Sequence, residues 1–204
     1  MSSTKTSSTG FAAVTQEGIL AIGGRHRTRW LHGMITQNVK TMAPGSSRYA
    51  CVVSVKGKIQ QDFQLYNDVD GEQLFLLLPR ERVTDFVNGL KKFIVAEQVT
   101  FEDHSDQWTI LTVQGDDAAE IVGQPDQDLV QAEWGSSSIR VVRNRRGIAP
   151  GFDLWVKNED QEAIVQILKE KGATPLSEAT LESSRIQAAI PKFGVDFDDR
   201  VIPL

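Results

Sequence analysis

The chain has one cysteine, Cys51, in 204 residues. A lone thiol excludes an intramolecular disulfide and a cysteine-based metal cluster, and it fits a reducing compartment. The three histidines, His26, His32 and His104, stand without metal-ligand spacing. No apolar run approaches the roughly 20 residues needed to cross a bilayer. Residues 1–10 are rich in Ser and Thr, with Lys5 as their one basic residue. That pattern fits neither a secretory signal nor an Arg-rich transit peptide, so a disordered leader on a cytoplasmic protein is expected. Basic residues are outnumbered 22 to 27, for a net charge of −5. This removes any general electrostatic reason to expect nucleic-acid binding. A P-loop, a dinucleotide fingerprint and a Ser-His-Asp arrangement are all missing, and Gly23-Gly24 alone is too weak a signal for phosphate.

What is present is an ordinary globular composition, 40% hydrophobic and 24% charged, with readable periodicity. Phe11–Thr15 and Gly18–Ile22 read as two strands joined by a Gln-Glu turn, and Arg25–Gly33 as a short helix. Arg48–Lys56 alternates, with Tyr49, Cys51, Val53 and Val55 on what reads as its apolar face. After the Lys56-Gly57-Lys58 turn comes a second alternating strand, with Ile59, Gln61, Phe63 and Leu65 on one side. Gln60, Asp62, Gln64 and Tyr66 take the other, completing a hairpin signature. Leu74–Leu78 is an apolar strand. Val83, Phe86, Val87, Leu90, Phe93 and Ile94 then recur with the period of an amphipathic helix. Val99–Asp103 closes the first half.

The second half repeats the plan. Trp108–Gln114 is a strand, Asp116–Gly123 a short helix, and Ile139–Arg143 and Phe152–Val156 are strands. A helix carrying Ala163, Ile164, Ile167 and Leu168 ends at Gly172, and a last helix starts at Ser177. The fold class expected is α+β, with two tandem related units of antiparallel sheet and packed helices. The boundaries expected are 1–10 for the leader, 11–104 for the first unit and 105–204 for the second.

Three stretches resemble the YgfZ-type folate-binding proteins, which are related to the aminomethyltransferase T-protein. They are Trp30-Leu31-His32-Gly33-Met34-Ile35-Thr36-Gln37-Asn38-Val39, Lys56-Gly57-Lys58-Ile59-Gln60-Gln61-Asp62-Phe63, and Arg185 to Asp198 with Ile202-Pro203 following. The likeness runs from about Phe11 to Leu204. It implies a T-protein-like folate-binding body that takes tetrahydrofolate or a one-carbon derivative. In the family a small C-terminal barrel normally follows, with a Lys-Gly-Cys motif in the YgfZ type. Neither occurs within these 204 residues. Asn38, Gln187 and Ala189 depart from a common Asp, Glu and Gly.

By this resemblance Asp62 matches the carboxylate that lies beside the reactive nitrogen of the folate. Read from the residues alone, Asp62, Gln60 and Gln64 form a polar strand face. It offers the acceptors and donors that a pterin ring requires, and it equally suits a solvated strand surface. The first family-like stretch is followed by Pro44-Gly45 and Tyr49-Ala50, and Tyr49 reads as core or cavity wall and is taken as a ligand residue. The Arg140, Arg143, Arg145 and Arg146 cluster is either a solvated hairpin tip or an anion attractor, with Arg146 taken as a ligand residue. Cys51 reads as a small buried side chain.

The function implied is non-catalytic folate binding in support of iron–sulfur cluster assembly or repair, linked to tRNA modification. Iron–sulfur proteins are the partners implied, and neither a membrane nor direct nucleic acid is expected. The alternatives are an aminomethyltransferase-like one-carbon transfer enzyme, with Asp62 as its catalytic group, and a truncated remnant without ligand.

Overall fold

The computed structural model describes residues 9–203. The expected leader therefore lies, for residues 1–8, outside the described residues, whereas Gly10 already opens the first strand. The strands are β1 (Gly10–Val14), β2 (Glu17–Gly23), β3 (Ser47–Val53), β4 (Ile59–Asn67), β5 (Leu74–Pro79), β6 (Thr100–Asp103), β7 (Trp108–Gln114), β8 (Leu129–Trp134), β9 (Ser137–Arg143), β10 (Gly151–Lys157) and β11 (Thr174–Pro175). The helices are α1 (Arg27–His32), α2 (Val83–Lys91), α3 (Ala118–Val122), α4 (Gln161–Glu170) and α5 (Glu178–Gln187).

These elements group into two compact units. The first holds residues 15–108, 127–129 and 191–203, and the second holds residues 9–14, 109–126 and 130–190. Each is built on one sheet. In the first the strand order is β3-β4-β5-β2-β6. In the second it is β11-β1-β7-β10-β9-β8. Read from the far edge, β8-β9-β10-β7 repeats the order β3-β4-β5-β2, and a helix follows β5 and β10 alike. The two units are thus related α+β sheets, and β1 enters the second between β7 and β11.

The first unit shows why its sequence folds this way. Leu74, Leu76 and Leu78 of β5 bury one row, and Phe75 and Leu77 bury the other. A strand apolar on both faces belongs inside a sheet, and β5 pairs antiparallel with β2 and β4 on its two sides. Leu20, Ile22, Ala50, Val52, Phe63, Leu65, Val83 and Leu90 join the leucine row in one core, with Phe86 and Val87 packed against it. The period-3.6 stripe of α2 points there. The helix ends at Lys91, however, so Phe93 falls beyond it and is 61% exposed. Trp30 of α1 meets Phe101 edge to face at 5.7 Å between ring centres.

The second unit has its own core of Phe11, Leu111, Val113, Ile121, Ile139, Val141, Phe152, Leu154, Ile164 and Leu168. Its α5 is capped by Ser177, whose side chain accepts from the Thr180 N–H at 3.1 Å. At the other end Ala189 takes φ 52°, and the Ile190 N–H donates to the Arg185 carbonyl at 3.2 Å. This is a Schellman closure with alanine where glycine is favoured.

The two strands expected near residues 11–15 and 18–22 are present and pair in different sheets, β1 with β7 and β2 with β5 and β6. One expectation needs correction: Cys51 does not share the apolar core face of its strand. The core takes Ala50 and Val52, which turns Tyr49 and Cys51 to the opposite side.

Candidate functional site

The hairpin β3–β4 sets the geometry of the first unit's polar face. Its turn needs Gly57 at φ 77°, a left-handed value that strains side-chain-bearing residues. The Gly57 N–H donates to the Ser54 carbonyl at 2.8 Å, and the Ser54 N–H to the Lys58 carbonyl at 2.8 Å. From there the register pairs Tyr49 with Gln64, Cys51 with Asp62 and Val52 with Gln61. It then shifts, so Val53 faces Ile59 and Gln60 is the extra residue of a bulge. The Gln60 side chain is exposed, and its carbonyl accepts from Arg82 Nη2 at 3.3 Å.

Asp62 lies half-buried on this face. The Tyr49 hydroxyl donates to its Oδ2 at 2.8 Å. Gln61 Nε2 donates to its main-chain oxygen at 2.8 Å and sits 3.4 Å from Oδ1. Across the ladder, the Cys51 N–H donates to Thr36 Oγ1 at 3.0 Å, and the Thr36 N–H returns to the Cys51 carbonyl at 3.0 Å. These two bonds tie the loop after α1 to β3. Burial raises the Asp62 carboxyl above its ordinary range, opposed by the Tyr49 hydrogen bond. Burial also raises the Tyr49 phenol, and the Asp62 hydrogen bond and charge add to it. The Cys51 thiol is pushed up as well, first by burial. The phenol and thiol are therefore neutral near pH 7, and Asp62 is a carboxyl whose ionised form is penalised. Such a group suits proton exchange or a bond to a ligand N–H.

Of the residues singled out in the sequence, the structure brings Tyr49, Asp62 and Gln64 together on one face, with Gln60 at its bulged end. Arg146 belongs to the second unit. Its Nε donates to Asp153 Oδ1 at 2.9 Å and its Nη2 to Oδ2 at 2.7 Å, a two-point clamp on a carboxylate with 0% exposure. Asn144 Nδ2 adds a third bond at 2.7 Å. Gln114 accepts from the Arg146 N–H at 3.1 Å, and its amide donates to Thr112 Oγ1 at 2.7 Å. The rest of the basic cluster is engaged too. Arg145 Nε donates to the Gly147 carbonyl at 2.6 Å, and Arg143 lies over the Phe152 ring at 5.2 Å.

Sequence reading missed Asp153. The signal was one carboxylate inside the apolar run Phe152–Val156, because a charge buried in a strand with two apolar neighbours demands a partner. An open depression of about 410 Å³ on α5 is lined by Ala179, Thr180, Ser183, Ser184 and Gln187. It holds Gln187, which departs from the family's common Glu, and none of Tyr49, Gln60, Asp62, Gln64 or Arg146. Among the described residues, no group of three or more His, Cys, Asp or Glu side chains could hold a metal ion. Among the same residues, no helix is long and apolar enough to cross a membrane.

Two related antiparallel α+β sheets, one presenting a half-buried carboxylate bonded to a tyrosine, define the class of domain. Residues 4–204 match the GCVT N-terminal domain, and the chain belongs to that family. It is similar to the aminomethyltransferase of Deinococcus deserti, at 24% identity over 97% of this chain and 57% of that protein. The aminomethyltransferase of Thermus thermophilus is also 24% identical, over 94% of this chain and 57% of its own length. The chain thus spans a little over half the length of these relatives. Among solved structures, aminomethyltransferase T of the glycine cleavage system from Bartonella henselae has the same fold. It matches with a TM-score of 0.82 and 16% identity over 94% of this chain and 54% of that one. A heterotetrameric sarcosine oxidase from Corynebacterium matches more loosely, with a TM-score of 0.53 and 12% identity over 83% of this chain.

Proposed function

We propose that this aminomethyltransferase-like domain binds tetrahydrofolate or a one-carbon derivative, with Asp62 as the ligand-facing carboxylate. The observation that carries the reading is the half-buried Asp62, held at 2.8 Å by the Tyr49 hydroxyl on the face it shares with Gln64. Its raised affinity for a proton fits a site beside a ligand nitrogen that gains or loses one. Gln64 adds both an amide donor and an acceptor for a flat heterocycle. Gln60 at the bulge completes the proposed ligand set on this face. Titrating 5-formyl-tetrahydrofolate by calorimetry tests this. Wild-type protein is expected to bind, with affinity reduced in Asp62→Ala, and equal affinities would remove Asp62 from the site.

Two roles fit such a module. The similarity of the Arg185–Asp198 and Lys56–Phe63 segments to YgfZ-type proteins supports non-catalytic folate binding. That role serves iron–sulfur cluster assembly or repair linked to tRNA modification, with iron–sulfur proteins as partners. The names of the relatives, together with a carboxyl poised for proton exchange, support one-carbon transfer of an aminomethyl group. A transferase assay on the whole protein separates them. Turnover abolished by Asp62→Ala favours transfer, and folate binding without turnover favours the first role.

A further inference from the structure

We propose that Tyr49 is the positioning residue of the Asp62 site, fixing the carboxylate through Oδ2 and leaving Oδ1 for a proton on a ligand nitrogen. The inference rests on the folate-binding reading and adds to it a division of labour between the two side chains. Tyr49 stands in register opposite Gln64, so Asp62 is its diagonal neighbour, within reach of a long aromatic side chain. Tyr49 is 47% exposed as a residue, and its hydroxyl meets Asp62 at 2.8 Å. At Oδ1 the polar neighbour is the Gln61 amide at 3.4 Å, a weak contact that a ligand donor can outcompete.

The surrounding groups give the phenol this task. Cys51, directly across the ladder from Asp62, is buried and its thiol stays protonated, a poor hydrogen-bond donor. Glu17 on β2 is the further charged group that bears on Asp62, and its negative charge opposes ionisation. Tyr49 is the side chain that counters burial and Glu17 together, since a hydrogen bond donated to a carboxylate favours the anion. Replacement by phenylalanine keeps the ring and removes this bond, together with the phenol's contact with the Cys51 thiol.

Carbon-13 titration of the Asp62 carboxyl in ligand-free protein reads the claim directly. The midpoint is expected to rise in Tyr49→Phe, and an unchanged midpoint overturns the proposal. A calorimetric cycle with 5-formyl-tetrahydrofolate gives the second reading. Tyr49→Phe should weaken binding about tenfold in the wild-type background. In the Asp62→Asn background the same change should do nothing further, because its effect passes through the carboxylate. An equal loss in both backgrounds makes Tyr49 a direct ligand contact and overturns the positioning role. Absence of binding by the wild type rejects the folate reading itself, and the carboxyl titration still decides the part played by Tyr49.

Discussion

Asp62 carries an ionisation penalty that the fold creates, and this gives it a pH signature. Burial lifts its folded-state affinity for a proton above the unfolded value. Stability contributed by the protonated form is therefore full below about pH 4, the unfolded aspartate range, and declines as pH rises through the folded value. Asp62→Asn removes the penalty and keeps an oxygen for Tyr49. Thermal melts should place the variant above the wild type at pH 7 and level with it near pH 3. Ala189 is a second residue with a readable consequence. It holds φ 52° at the end of α5, where the related family commonly has glycine. Ala189→Gly should stabilise by about 0.5–1 kcal/mol in denaturant unfolding, the difference between strain and added backbone freedom.

At the level of elements, α2 separates residues that one periodic pattern had grouped. Leu90 is 3% exposed inside the core, whereas Phe93 lies past the helix end. Leu90→Ala should cost about 2–5 kcal/mol of unfolding free energy. Phe93→Ser should stay within about 0.5 kcal/mol of wild type in the same measurement. The contrast marks how far the sequence could be read. The β3–β4 hairpin, β5, β7 and the helices were legible because alternation, turn residues and the 3.6 period agreed with one another. The short strands β8 and β11 were not, since Leu129–Trp134 has a single fully buried residue and Thr174–Pro175 is a two-residue edge. Alternation placed Asp62, Gln64 and Tyr66 on one side of β4. It could not say that Tyr49 and Cys51 of β3 would join them, because both strand faces carry apolar residues. Asp153 escaped because its partners Arg146 and Asn144 lie on a loop outside the strand pattern.

On the scale of the whole molecule, the repeated strand order agrees with the tandem plan read from the sequence, but the units interleave along the chain. The first strand serves the second unit, and residues 191–203 return to the first. There the Val201 carbonyl accepts from the Ile59 N–H at 2.8 Å, beside the bulge of β4. A cut between 104 and 105 therefore strands one segment on each side. Fragments 1–104 and 105–204 expressed alone should be poorly folded, because β7 loses the five register pairs it makes with β1. Mixed together, they should recover a single complex by size-exclusion chromatography and a shared thermal transition.

The placement of β1 between β7 and β11 also sets a timetable for the newborn chain. Its last residue is Val14 and its first partner strand begins at Trp108, 94 positions later (108 − 14). At translation speeds of roughly 5–20 residues per second, the segment Gly10–Val14 waits about 5–20 s with its backbone unpaired. The second parallel neighbour, at Thr174, arrives later still. Ribosome-emergent chains of this protein thus expose an unpaired apolar ribbon at Gly10–Val14 until the strand that begins at Trp108 has been made.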